Sequence, residues 1–311
     1  MGTPEFAAPS LRALAATCDL IAVVTQPDRP RGRGQSLSGS PIARLAQELQ
    51  VTVLKPENLA DVGVRDQLAA LAPDLFAVVA FGAILSSALL AVPRLGSLNL
   101  HGSLLPEYRG ASPVQRALWD GRAGTGVTTL WMDEGIDTGD LVLQRWEPIT
   151  AEDDAGTLAA RLAELGAPLL ARSVLLAHSG EAPRLTQDRA AGSYARKLTK
   201  RDGIVDWSRD VITVWNRQRA VTPWPGASTA HHGRHLLLRR TRPVHLLPDA
   251  GAPGTVLEVR ADGIVVACGS GALLVSSVVP EGRGQLGAAD WARGARLQSG
   301  DHLEAAREAH V

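Results

Sequence analysis

The stretch Leu75-Phe76-Ala77-Val78-Val79-Ala80-Phe81-Gly82 decides how the first half of the chain folds. An unbroken apolar run, rich in β-branched residues, stops at a glycine. A strand with one wet face alternates apolar and polar residues. A strand covered by helices on both faces does not, and shows the continuous run seen here. The same texture recurs upstream at Leu20–Thr25 (LIAVVT). Shorter or half-apolar strands are expected at 51–54, 97–100, 126–132 and 141–148. Helical spacing marks 4–17, 41–50, 64–71, 86–90, 112–120 and 157–178. Ser40-Pro41 and Ser112 supply start signals for two of these helices. Alternation of buried strands with helices predicts an α/β fold, a Rossmann-like, doubly wound, mostly parallel sheet.

Two segments break the pattern. Residues 27–40 (PDRPRGRGQSLSGS) carry too much Pro, Gly and Ser for regular structure, and they hold Arg29, Arg31 and Arg33. At the amino end a Gly-containing turn and a helix come first, where a doubly wound sheet opens with a strand. The expectation is that this first strand is missing and that the full gene product is longer.

The texture changes after about residue 182. Short alternating segments at 235–239, 255–259, 263–268 and 272–278, separated by Gly, Pro and Asp, predict an OB-like all-β barrel of five strands. The expected division is a catalytic domain at 1–187, a linker at 188–203 and a β domain at 204–311. Trp207, Trp215 and Trp224 belong to the core or stack on nucleotides, with the core the favoured reading. The run His231-His232-Gly233-Arg234-His235 has no acid or Cys spaced to share a metal, and is assigned to an exposed hairpin.

Composition narrows the classes. The 311 residues are 45% hydrophobic and 21% charged, a normal mix for two globular domains. No apolar run reaches the roughly 18 residues of a membrane helix, and no basic-then-apolar leader is present. A cytoplasmic monomer without membrane attachment is expected. Cys18 and Cys268 lie far apart, at no metal-ligand spacing, and are expected as buried free thiols. Residues 1–187 carry 15 Lys and Arg against 20 Asp and Glu, a balance of −5; the remaining 17 and 12 leave +5. That asymmetry gives weak support for nucleic-acid contact through the second half. No dinucleotide glycine fingerprint and no phosphate-binding loop follow a strand, so a nicotinamide-dependent dehydrogenase rests on fold analogy alone.

Chemistry concentrates in Leu98-Asn99-Leu100-His101-Gly102-Ser103-Leu104-Leu105-Pro106. Residues two apart on a strand face the same way, so Asn99 and His101 arrive together at its carboxyl end, where open α/β sheets bind ligands. An amide donor and an imidazole suit a carbonyl that becomes an oxyanion. A His after a strand also serves as an ordinary turn residue. The second cluster is Met132-Asp133-Glu134-Gly135-Ile136-Asp137-Thr138-Gly139-Asp140. A carboxylate from this loop facing His101 would favour its donor form; a solvated turn or a cation site is the plainer alternative.

Gly2-Thr3-Pro4-Glu5-Phe6, Thr25-Gln26-Pro27-Asp28-Arg29-Pro30 with Gly32-Arg33-Gly34, Asn99 to Pro106 with Tyr108-Arg109-Gly110-Ala111, and Gly135 to Asp140 together resemble the folate-dependent formyltransferases, in their methionyl-tRNA branch. The resemblance runs from residue 2 to roughly 300. It implies transfer of a formyl group from 10-formyltetrahydrofolate to the α-amine of methionyl initiator tRNA, with Asn99, His101 and Asp137 catalytic and no metal. It places the folate beside Ser103, Leu104, Leu105 and Pro106; Phe81 and Gly82 either wall that pocket or form a plain packing turn at the start of a helix. It also gives Arg33, with Arg31 and Arg29, the acceptor stem, and adds Arg196, Lys197, Lys200, Arg201, Arg239, Arg240 and Arg242 as candidates in the linker and the β domain. A sister enzyme that formylates a small amine, a purine precursor or an amino sugar, would share the three catalytic residues. An idle RNA-binding module would not need them.

Overall fold

The computed structural model describes residues 1–31, 36–188, 190–244 and 251–306. It contains two compact units, and neither is one run of chain. The first holds Met1–Pro113, Gly124–Pro148 and Ala159–Ala195; the second holds Val114–Ala123, Ile149–Leu158 and Arg196–Val311. Compactness thus assigns two short segments upstream of residue 187 to the second unit.

Strands of the first unit are β1 (Val23–Val24), β2 (Arg29–Arg31), β3 (Ser36–Ser38), β4 (Val53–Leu54), β5 (Phe76–Val79), β6 (Ser97–His101), β7 (Gly124–Trp131) and β8 (Leu141–Pro148). Helices along the chain are α1 (Ala8–Thr17), α2 (Pro41–Glu48), α3 (Val62–Ala70), α4 (Ser87–Leu90), α5 (Pro113–Trp119), α6 (Ala155–Ser179), α7 (Val211–Ala220) and α8 (Ala288–Ala295). Parallel pairs join β1 to β4 and β5 to β6; β7 and β8 then extend the sheet antiparallel. The apolar runs read from the sequence become β1 and β5, whose Val24, Phe76 and Val78 are buried with Leu68, Phe81 and Leu89. Start signals work as expected at α2, where the Ser40 hydroxyl accepts from Ala43 N at 3.0 Å. A cap of this kind contributes about 1 kcal/mol. On the other face, α6 lies directly on β6. A Cβ at Gly166 would come within 2.6 Å of the Leu100 side chain, so any larger residue there would force the buried Leu100 to shift.

Between β1 and β5 the sheet is interrupted. Gly2 N donates to Val24 O at 3.0 Å and Val79 N donates to Met1 O at 2.9 Å, so among the described residues Met1 and Gly2 bridge the two strands. Beyond them lies a cavity of about 540 Å³, lined among others by Leu11, Leu14, Val23, Phe76 and Leu175. The Met1 amine donates to Ala77 O at 2.6 Å. Burial pushes that amine from its ordinary 8.0 down to about 5.

Residues 27–40 depart from the sequence reading. Arg29–Arg31 pairs antiparallel with Ser36–Ser38, so the tract holds a short ribbon where none was expected. Pro30 is compatible with it because a two-stranded ribbon has edges on which a missing N–H costs nothing. Residues 32–35, Arg33 among them, lie outside the described residues.

The second unit is built on a seven-stranded antiparallel sheet. Five strands carry it: β9 (Ala227–His231), β10 (Arg234–Val244), β11 (Val256–Arg260), β12 (Gly263–Ala267) and β13 (Ala272–Pro280). Two-residue strands β14 (Leu286–Gly287) and β15 (Glu304–Ala305) add to β13 and β9. The Thr255–His302 bridge draws the two edges of the path together, a half-barrel in keeping with the OB-like expectation. Its core gathers Trp207, Val214, Leu236, Ile264, Leu273 and Ala292, with Trp119 and Trp215 packed against it. Trp224 corrects the sequence reading: it is 53% exposed, not core. His231 and His232 do sit in a hairpin, but His231 is buried, edge-on to Trp291.

Candidate active site

The carboxyl end of β6 delivers Asn99 and His101 to one side of the sheet, as their two-residue spacing requires. The loop after β7 brings Asp137 to meet them. Asn99 Nδ2 donates to Asp137 Oδ1 at 3.2 Å, and His101 Nδ1 lies 3.5 Å from Asp137 Oδ2. Gly110 N donates to Asp137 Oδ2 at 2.9 Å. The carboxylate therefore has a donor on each oxygen before any substrate arrives. His101 is buried and Asp137 nearly so, at 6% and 14% exposure, which weakens water's competition for these contacts.

His101 Nε2 stands 2.8 Å from Tyr108 O. A carbonyl only accepts, so Nε2 carries a hydrogen. Asn99 has two amide hydrogens; one goes to Asp137, and the other has no partner among the described residues. That leaves a donor at the mouth of the site, next to an imidazole and a carboxylate already held in contact.

Sequence reasoning placed backbone groups of Ser103 to Pro106 against a ligand. Several of these groups are committed elsewhere. Thr128 Oγ1 donates to Ser103 O at 2.6 Å, Leu105 N donates to Thr128 Oγ1 at 3.1 Å, and Gln144 Nε2 donates to Leu105 O at 2.7 Å. The segment is rigid because β7 and β8 pin it. Leu105 is buried, whereas Leu104 and Pro106 are half-buried. Phe81 is buried and accepts a hydrogen bond at its carbonyl from Thr3 Oγ1. Gly82, at φ +81°, faces open space.

The sequence reading missed the segment that closes the site from behind. Arg109 N donates to Ser193 O at 2.9 Å and Ala195 N donates to Arg109 O at 2.7 Å, so residues 193–195 run alongside the Tyr108-Arg109-Gly110 turn. Gln187 links that turn to the Asp137 loop. Nothing periodic marks these residues; they sit in a Pro- and Gly-punctuated stretch that reads as linker. The 540 Å³ cavity has no part in this site, since none of Asn99, His101 or Asp137 lines it.

Several of the basic candidates are engaged, Arg239 among them by donating Nη1 to Pro223 O at 3.2 Å. Arg196 forms a bidentate pair with Asp202, at 2.9 and 2.6 Å, and that hydrogen bonding holds the Asp202 carboxyl down at about 2. Arg242 pairs with Asp262 at 3.3 Å. Cys268 is buried, which pushes its thiol up to about 12 and makes it no nucleophile.

An amide, an imidazole and a carboxylate converging where an α/β sheet opens form an arrangement able to stabilise charge on a carbonyl oxygen by hydrogen bonding. Residues 2–174 match the formyl transferase family, and residues 197–296 match its C-terminal domain. The chain belongs to the formyl transferase family. It is 46% identical over 304 residues to the methionyl-tRNA formyltransferase of Geobacter sulfurreducens, covering 97% of this chain and 95% of that protein. The methionyl-tRNA formyltransferase of Methylacidiphilum infernorum is 44% identical over 308 residues, covering 97% and 96%. Two solved structures share the fold. The N-formyltransferase from Helicobacter canadensis, in complex with folinic acid and dTDP-3-aminofucose, superposes with TM-score 0.63 at 17% identity, over 88% of this chain and 96% of that one. HypX from Aquifex aeolicus, in complex with tetrahydrofolic acid, gives TM-score 0.62 at 20% identity over 93% of this chain. This chain spans about half, 51%, of HypX.

Proposed function

We propose that this chain transfers the formyl group of 10-formyltetrahydrofolate to the free α-amine of methionyl initiator tRNA, giving N-formylmethionyl-tRNA for translation initiation. The observation that carries it is the 46% identity, over 97% of the chain, to a methionyl-tRNA formyltransferase. The site's geometry is compatible with the chemistry. The amine attacks the formyl carbon and the carbonyl oxygen gathers negative charge. Asn99, with its unused amide hydrogen, donates to that oxygen. His101 reaches the same oxygen by giving up the Tyr108 carbonyl, and Asp137 supports the imidazole and takes part in moving the amine proton to the departing nitrogen of the folate. The C–N bond to the new amine forms as the bond to the folate nitrogen breaks, so tetrahydrofolate leaves intact. No step needs a metal or a covalent enzyme intermediate.

The donor rests against Leu104, Pro106 and the open face of Gly82; Ser103 and Leu105 hold that wall in place, and Phe81 backs it from the interior. Arg29, Arg31 and Arg33 contact the acceptor stem through phosphates. The enzyme works as a monomer in the cytoplasm. No helix among the described residues is long and apolar enough to cross a membrane.

The test is a formylation assay with purified protein, 10-formyltetrahydrofolate and charged initiator tRNA. Transfer that deacylated tRNA competes away is the expected result. Release of tetrahydrofolate only with a small amine acceptor would replace the tRNA assignment by that of the sister enzyme.

A further inference from the structure

We propose that Gln187 is the positioning residue that aims the Asp137 carboxylate, an assignment that rests on the reading of Asp137 as part of the formyl-transfer site. Gln187 is buried, at 5% exposure. Its Nε2 donates to Asp137 O at 2.9 Å and to Gly139 O at 2.7 Å. Its Oε1 accepts from Arg109 Nε at 3.1 Å and from Arg109 Nη2 at 2.9 Å. Arg109 Nη2 also reaches Asp188 O at 3.1 Å. Both amide hydrogens and both carbonyl lone pairs of one side chain are used, a full complement.

The partners explain what the clasp does. Asp137 holds φ at +55°, a left-handed conformation uncommon for residues with a Cβ though more accessible to Asp than to most, and one its surroundings must hold in place. Gln187 grips the carbonyls on either side of Thr138 and fixes that turn from the backbone. Its other end holds Arg109, whose neighbour Gly110 supplies the N–H to Asp137 Oδ2. One side chain therefore fixes the Asp137 backbone and, through Arg109, the turn that carries a donor to the Asp137 side chain. Gln187 touches no reacting atom. Its effect on the reaction passes through the angle at which Asp137 meets His101 and Asn99, and a misplacement of about 1 Å costs on the order of 100-fold in rate.

The arrangement is selective for an amide. Gln187→Glu keeps the size and still accepts from Arg109, but an ionised carboxylate opposes two carbonyl oxygens. Gln187→Met keeps the length and is uncharged, and loses all four hydrogen bonds. Expected for Gln187→Glu is a kcat lower by about 100-fold, KM for folate donor and Met-tRNA within about twofold, and a deficit that narrows as pH falls and the introduced carboxyl gains a proton to donate. Expected for Gln187→Met is a shift of the His101 imidazole resonances by NMR, measured on protein whose melting temperature shows it folded. Unchanged kcat in folded Gln187→Glu, or a loss confined to KM, would overturn the proposal. So would His101 resonances unmoved in folded Gln187→Met. The resonance measurement needs no substrate, so it judges the clasp even where the wild-type chain fails to formylate Met-tRNA, a failure that would count against the proposed function alone.

Discussion

Asp137 needs both its carboxylate and its unusual backbone, and the two requirements meet at Gly110. A Cβ on Gly110 would lie 2.7 Å from Tyr194 Cε2 and 2.8 Å from Ala195 O, at φ +105°. Gly110→Ala must therefore move the turn whose N–H holds Asp137 Oδ2. We expect it to cost about 1–3 kcal/mol of stability and to lower kcat more than KM, read by thermal unfolding and steady-state kinetics. Asp137→Asn keeps the shape and removes the charge that His101 faces; His101→Ala removes the donor. Each should cut formyl transfer by about 10²–10⁴-fold with Met-tRNA binding nearly intact. Near-normal turnover in either would remove that residue from the mechanism. Strand alternation brought Asn99 and His101 together and a carboxylate-rich loop offered a partner, but only the family resemblance singled out Asp137 among that loop's four carboxylates. Gln187 was not legible. Its role comes from a contact 50 residues away in sequence, to Asp137 O, and no local pattern records that.

At the scale of elements, the buried strands announced themselves and the irregular pieces did not. Val78-Val79 and Val23-Val24 read as buried strands because burial on both faces leaves only apolar residues to choose. The helix α7 escaped because its inward side includes Asn216, Gln218 and Arg219, polar residues that bury by pairing rather than by hydrophobicity. The gap between β1 and β5 yields a further prediction. The Met1 amine occupies the place of a strand amide, donating to Ala77 O, and burial disfavours its charged form. Its proton is held up to pH 8.0 in the unfolded chain and only to about 5 in the folded one. Between those values the unfolded state binds more protons, so stability rises with pH across this window, by at most about 4 kcal/mol. Joining about five apolar residues to the Met1 nitrogen turns the amine into a peptide N–H and offers the 540 Å³ cavity a strand. We expect a melting temperature higher by at least about 5 °C and a flatter pH profile. An extended chain that melts at the same temperature, with the same pH slope, would show that the cavity does not accept a strand.

Across the whole molecule, the sequence changes texture near residue 182, whereas the two compact units interleave along the chain. Segments 114–123 and 149–158 look like continuations of the α/β pattern, yet they belong to the compact unit of the β sheet. Arg219 shows why such membership hides from a linear reading: it is buried, stacks on Trp215 at 3.8 Å and donates to Thr150 O at 3.0 Å, binding residues far apart in the chain. Charge distribution is a property of the same scale, and it frames the test of the arginine tract. A polyanionic acceptor is held by released counterions, each phosphate contact contributing about 0.7–0.9 to the slope of log affinity against log salt. If Arg29, Arg31 and Arg33 each meet a phosphate, replacing all three by Ala should flatten the salt dependence of Met-tRNA binding by roughly two to three. It should also raise KM for Met-tRNA while leaving KM for the folate donor within about twofold. Folate binding is the internal control, because a small anion with a few carboxylates lacks the condensed counterion atmosphere that produces that slope. Equal loss of both substrates would mean that the β2–β3 ribbon is structural. An unchanged slope would move the tRNA contact to the basic residues of the second unit, with Lys197, Lys200 and Arg240 next in line, since Arg196 and Arg242 are already paired with Asp202 and Asp262.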